Sequence, residues 1–155
     1  MRIALGADHR GSAIAGALVN HLRAEGHEVE VVGDCGGGTV DYPDVAWLVS
    51  LAVSRAEAQL GILICGTGIG MCIAANKVPG IRAAMAQDEL SAQLSRTHND
   101  ANILCLSADL IGQTLAKRVV DIFTKTAFEG GRHQRRLDKI AAIERGQDPS
   151  SVRTS

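Results

Sequence analysis

Short apolar runs alternate along this chain with longer stretches in which apolar residues recur at helical spacing. Residues 2–6 form the first run and predict a strand. Residues 12–25 place Ile14, Leu18 and Leu22 on one face with Ala17 beside them, a helix that Gly26 ends. Residues 28–32 predict a second strand, and a glycine-rich loop with Cys35 leads on to Asp41-Tyr42-Pro43-Asp44. Pro43 suits the first turn of a helix, which Val45, Leu48, Val49, Ala52 and Val53 continue as a stripe. Residues 60–65 predict the third strand, followed by the loop Gly66-Thr67-Gly68-Ile69-Gly70 and a helix over 71–77.

Residues 81–86 predict a fourth strand, 88–96 a helix, 97–100 a polar turn and 102–107 a fifth strand. Ile111, Leu115, Val119, Ile122 and Phe123 stripe the next helix, and a last helix runs from about Arg132 to Arg145. Strands in regular alternation with helices predict a parallel sheet covered on both faces. The expected fold is a Rossmann-like three-layer α/β/α arrangement with a five-stranded parallel sheet. Residues 1–146 are expected to form a single domain, with a flexible tail over 147–155.

Composition narrows the function. A length of 155 residues is enough for one core. A net charge of −1 gives no reason to expect a nucleic-acid or anionic-membrane partner. The uncharged stretch 58–76 is interrupted by Gly61, Gly66, Gly68 and Gly70, which argues against a membrane span. The N-terminus is charged too early for a signal peptide, so the cytoplasm is the expected location. Cys35, Cys65, Cys72 and Cys105 have no C-x-x-C or zinc spacing. Cys72 and Cys105, inside apolar runs, read as small core residues.

The stretch around Cys65 carries the chemistry. A strand, a glycine loop and a helix make an anion cradle, because glycines let backbone N–H groups approach a ligand and a helix start adds partial positive charge. Cys65 ends the strand at the edge where open α/β sheets bind ligands. A cysteine at a strand end is usually an inert core residue, but a position ahead of a helix N-terminus favours an activated thiol. Asp8 either caps the first helix or faces the same edge. His98 stands in a polar cluster, but it precedes its strand, which places it at the opposite sheet edge. A site shared between two subunits would reconcile the two. Arg132, His133, Arg135 and Arg136 form a basic cluster, with Arg132 and Arg136 on one helical face. Cations at a helix start invite an anion, and phosphate is the natural one. The glycine loop is only a partial dinucleotide fingerprint, with Met71 at the third glycine position, although Asp88 stands where a ribose-binding acid might.

Several segments together resemble the B-type ribose-5-phosphate isomerase family, which includes galactose- and allose-phosphate isomerases. They are Gly6-Ala7-Asp8-His9-Arg10-Gly11, Asp41-Tyr42-Pro43, the run from Ile64 to Gly70, and the run from Ala74 to Ala83. Ser91 to Asn102 and Glu129-Gly130-Gly131-Arg132-His133-Gln134 complete the series in family order. The resemblance implies a metal-free, cofactor-free aldose–ketose isomerase working through an enediolate. Cys65 would be the base, since Met71 stands where some members carry a glutamate. Gly66, Thr67, Gly68, Ile69 and Gly70 would hold the enediolate oxygens, with Thr67 hydrogen-bonding near them. His98 would open the sugar ring. Asp8, His9 and Asn99 would hold hydroxyls or phosphate, Arg132 and Arg136 phosphate, and Tyr42 the rim. A homodimer, with a possible dimer of dimers and sites at the subunit interface, is also implied.

One position departs from the family pattern. Members often carry an arginine where this chain has Asp109, in Ser107-Ala108-Asp109-Leu110-Ile111-Gly112. Asp109 is either a helix N-cap or a sign of a different sugar phosphate. Ribose 5-phosphate is the expected substrate, with an allose, galactose or tetrose phosphate as the alternative. From other classes, the alternatives are a non-catalytic nucleotide- or phosphate-binding module using the Gly66–Gly70 loop, and a hydrolase with Cys65 as nucleophile and His98 as base.

Overall fold

The computed structural model describes residues 1–33 and 39–152. The glycine-rich loop over 34–38, with Cys35, and residues 153–155 lie outside these. The elements run β1 (Arg2–Ala7), α1 (Ser12–Ala24), β2 (Glu28–Val31), α2 (Tyr42–Ser54), β3 (Leu60–Cys65) and α3 (Ile69–Ala75). They continue β4 (Ala83–Met85), α4 (Glu89–Asn99), β5 (Ile103–Ser107), α5 (Gln113–Lys125) and α6 (Arg132–Glu144). A 3-10 turn, Pro149–Ser151, follows, and Lys139 Nζ donates to its Pro149 carbonyl across 3.0 Å.

The five strands pair in the order β2-β1-β3-β5-β4, all parallel. The expected three-layer sheet is therefore present. From β1 the chain moves to one side, and from β3 to the other, so the strand order reverses between these neighbours. That reversal opens a crevice at their carboxyl ends.

Side-chain alternation along β3 assigns the two faces. Ile62 and Ile64 join one core with Leu18 and Leu22 of α1 and Val119 and Phe123 of α5. Leu63 and Cys65 join the other with Val45 and Val49 of α2 and Met71 of α3. The two-residue period thus sends Cys65 toward α2 and α3. Helix α2 packs close because Gly6 and Gly61 lack side chains: a Cβ on Gly6 would lie 2.6 Å from Val45 Cγ1. Among the described residues, no helix is long and apolar enough to cross a membrane.

Three local expectations are corrected. Residues 97–99 are not a turn but the last turn of α4. Its polar side chains have partners there: Thr97 Oγ1 donates to the Gln93 carbonyl, and Asp100 accepts from Arg96 and Arg82 at 2.8 and 2.9 Å. Asp100, with φ of 42°, ends the helix in the left-handed conformation that aspartate tolerates. The fourth strand contracts to three residues at the sheet edge. Asp109 is not an N-cap, because α5 starts at Gln113 behind Gly112. Cys105 is fully buried as expected, whereas Cys72 is only partly covered.

Candidate active site

The crevice between β1 and β3 is an open cleft of about 480 Å³ lined by Asp8, Arg10, Tyr42, Cys65, Gly66, Thr67, Ile69, Gly70 and Ile73. Two turns build it. After β1, the Asp8 amide donates to the Ile64 carbonyl, and the Asp8 carboxylate accepts from the amides of Arg10 at 2.9 Å and Gly11 at 3.1 Å. Asp8 therefore organises the turn while lining the cleft; it is not the cap of α1, whose N-cap is Gly11 with no side-chain cap bond. Gly11 is required there: a Cβ would fall 2.5 Å from the Ile64 carbonyl oxygen. His9 is exposed and is not among the lining residues.

After β3, the glycine loop folds back over the thiol. The Gly68 amide donates to Cys65 Sγ across 3.1 Å, and the Ile69 amide donates to Thr67 Oγ1 across 3.3 Å. Two of the loop N–H groups assigned to the substrate oxygens therefore serve the loop itself in this state. Gly68 has φ of 79°, and a Cβ on it would meet the Leu106 backbone at 3.2 Å, so glycine is needed on both counts. Gly70 admits the Tyr42 ring, whose Cε2 would lie 2.6 Å from a Cβ. Cys65 is 5% exposed, so its sulfur is reachable only from the cleft. On α3, the Cys72 thiol is held down to about 7, chiefly by its hydrogen bond with the Cys105 thiol.

The other expected residues gather elsewhere. The His98 ring stacks on His133, with centroids 4.2 Å apart and planes 7° from parallel. Arg132 Nε donates to His133 Nε2 across 3.4 Å, and Glu129 Oε2 lies 3.8 Å from the same nitrogen. Burial pushes the His133 imidazole below its ordinary range, helped by the neighbouring charges of His98, Arg132 and Arg136. Asn99 lines a separate hollow of about 210 Å³ with Asn76, Arg82 and Ile140. His98, Glu129 and His133 bring ligand atoms within 4.8 Å of one another. Face-to-face rings cannot both aim lone pairs at one ion, and two guanidiniums repel a cation, so the cluster suits an anion better than a metal.

The cleft and the histidine pair lie at opposite ends of the sheet. Ile103, which opens β5 after α4, pairs with Gly61, while Ser107 pairs with Cys65. Four residues of strand separate those levels, about 13 Å, far beyond the reach of direct proton transfer. One chain therefore keeps the Cys65 cleft and the His98–His133 cluster apart. Asp88, the nucleotide-fingerprint acid, is occupied as the α4 N-cap and accepts from the Ser91 amide at 2.8 Å. Sequence reasoning passed over Arg10, which lines the cleft and contacts the β5–α5 turn, a contact that no local pattern announces.

Comparison with known proteins bears on the family and the fold. Residues 3–140 match the family model described as Ribose/Galactose Isomerase. The chain is 48% identical over 143 residues to ribose-5-phosphate isomerase B of Escherichia coli (strain K12), covering 92% of this chain and 96% of that protein. It is 41% identical over 145 residues to D-erythrulose-4-phosphate isomerase of Pectobacterium atrosepticum, covering 93% and 95%. The structure of Clostridium thermocellum ribose-5-phosphate isomerase B superposes with a TM-score of 0.93 at 46% identity, covering 94% of this chain and 99% of that one. The chain belongs to the ribose/galactose isomerase family and is an isomerase.

Proposed function

We propose that this chain interconverts ribose 5-phosphate and ribulose 5-phosphate through an enediolate. The observation that carries this reading is Cys65, a thiol at the last position of β3, lining the cleft under the Gly68 amide. In the aldose-to-ketose direction the Cys65 thiolate removes the proton from C2. The freed electron pair forms the C1–C2 double bond, and negative charge moves onto O1. The Thr67 hydroxyl accepts from the Ile69 amide and keeps its own proton to donate to that oxygen. The thiol then returns its proton to C1, and the O2 proton passes to O1, leaving the ketose carbonyl at C2. The loop amides that Cys65 and Thr67 leave free, together with the Thr67 hydroxyl, meet the charge, and no step of this scheme runs through a metal or cofactor.

A cyclic aldose must open first, and His98 is the acid–base group for that step. It reaches a Cys65 cleft only in a homodimer, where His98, Asn99, Arg132 and Arg136 of a second copy complete the site. Exposed Ile69 and Ile73 beside the cleft, and Trp47 on α2, support a face that a second copy covers. Asp8 holds a sugar hydroxyl, and Arg132 and Arg136 hold the phosphate. We place this activity in the cytoplasm and in the pentose phosphate pathway, carried by one domain of residues 1–146 with its tail at 147–155.

A second reading has its own support. The Pectobacterium relative is named for a tetrose phosphate, and Asp109 replaces a cation common in the family. The isomerase mechanism is the same; the sugar is shorter. Cys65→Ala tests the shared mechanism. Turnover should fall by at least about 10²-fold, the usual worth of a general base, while sugar phosphate still binds. Retained turnover would remove Cys65 as the base.

A further inference from the structure

Asp109 and Arg10 come from loops 99 residues apart in sequence and meet over the glycine loop. Arg10 Nη2 lies 2.6 Å from Asp109 Oδ2. A Cβ on Gly66 would sit 3.1 Å from both Arg10 Nε and Asp109 Oδ2, so the pair rests directly on the residue after Cys65.

Both partners are held from behind. The Asp109 amide donates to the Gly66 carbonyl at 3.0 Å, Ser107 Oγ donates to the same carbonyl at 2.6 Å, and the Ala108 amide donates to the Cys65 carbonyl. The Arg10 amide is fixed by Asp8. An ion pair with side chains 58% and 37% exposed adds little to stability. Only Arg10 of the two lines the cleft. Among the described residues its guanidinium has no partner besides Asp109, which leaves Nε and Nη1 to donate. An arginine braced on one edge by a carboxylate offers its other edge to a planar or tetrahedral oxyanion in fixed geometry.

We propose that Arg10 is a phosphate-contacting residue of the Cys65 half-site and that Asp109 is its positioning residue. The inference rests on the sugar-phosphate reading above. The cation that the family often carries on the β5–α5 turn is here moved to the β1–α1 turn, and the aspartate left behind aims it. Moving the anchor shifts the phosphate relative to Cys65, so Arg10 also sets the preferred length of the sugar chain.

The test is steady-state kinetics on four-, five- and six-carbon aldose phosphates, with inorganic phosphate as a competitive inhibitor. Arg10→Ala should raise KM for the best substrate about tenfold or more, the loss of one charge-assisted hydrogen bond, with kcat within about threefold. The inhibition constant of phosphate should rise in parallel. Asp109→Asn should raise both by less, and Arg10→Lys, which keeps the charge without the fork, should fall between. Arg10→Ala/Asp109→Arg returns the cation to the β5–α5 turn, and should recover phosphate affinity relative to Arg10→Ala and shift the order of preference across the panel. Unchanged KM and phosphate inhibition in Arg10→Ala would overturn the proposal and leave a surface ion pair. A fall in kcat at constant KM would also overturn it, placing Arg10 at the reacting carbons. If wild-type protein turns over no sugar, the reading beneath the proposal fails. Titration of inorganic phosphate against Arg10→Ala then still decides whether Arg10 binds phosphate.

Discussion

The imidazoles of His98 and His133 stack 4.2 Å apart, at the opposite end of the sheet from Cys65. The stack holds one face of His98 against a ring that is itself buried, so His98 is presented in one orientation. If His98 opens the sugar ring, His98→Asn should cost about 10² or more in kcat on ribose 5-phosphate. It should cost far less on a tetrose phosphate, which cannot form the same ring through a free hydroxyl. Equal losses on both would argue against ring opening by His98.

The separation of Cys65 from His98, with the proposed dimer, makes a second prediction. Mixing inactive Cys65→Ala protein with His98→Asn protein, and allowing subunits to exchange, should restore ribose 5-phosphate turnover. Half of the dimers would be mixed and each would carry one intact site, giving about a quarter of wild-type activity for a two-fold symmetric dimer. No recovery, with mixed dimers present by mass spectrometry, would mean that each chain completes its own site.

His133 ties the fold to pH. Its imidazole is pushed below the ordinary value of 6.5, first by burial and then by His98, Arg132 and Arg136. As pH falls through 6.5 the unfolded chain takes up the proton before the folded one does. Stability supplied by the neutral ring is therefore complete above that value and is lost below it. The thermal midpoint should drop between about pH 7 and 5, and less so in His133→Gln. An identical drop in the variant would assign the acid sensitivity to other groups.

Much of this was legible before any coordinates. Ile62, Ile64 and Leu63 announce a strand buried on both faces, and glycines 66, 68 and 70 announce the loop that follows. Asp8 and Cys65 could be placed at one edge because parallel strands put their following loops together. The last turn of α4 was not legible, because Thr97, His98 and Asn99 are polar and look like a loop. Their helix is held by contacts from Arg82, a residue before β4 that gives no local sign of reaching Asp100. Asp109 stands out as a departure, but of its two sequence readings the cap fails, and its partner Arg10 lies on another turn. Pairings of this kind come from strand order, and β5 beside β3, with β4 at the edge, is not a local property.

The central claim is tested most directly by isomerisation of ribose 5-phosphate with purified protein in excess chelator, beside a panel of four- and six-carbon aldose phosphates. The account predicts chelator-insensitive production of ribulose 5-phosphate as the fastest reaction in the panel. Turnover of no sugar phosphate would contradict it; faster turnover of another panel member would keep the mechanism and contradict the pentose assignment.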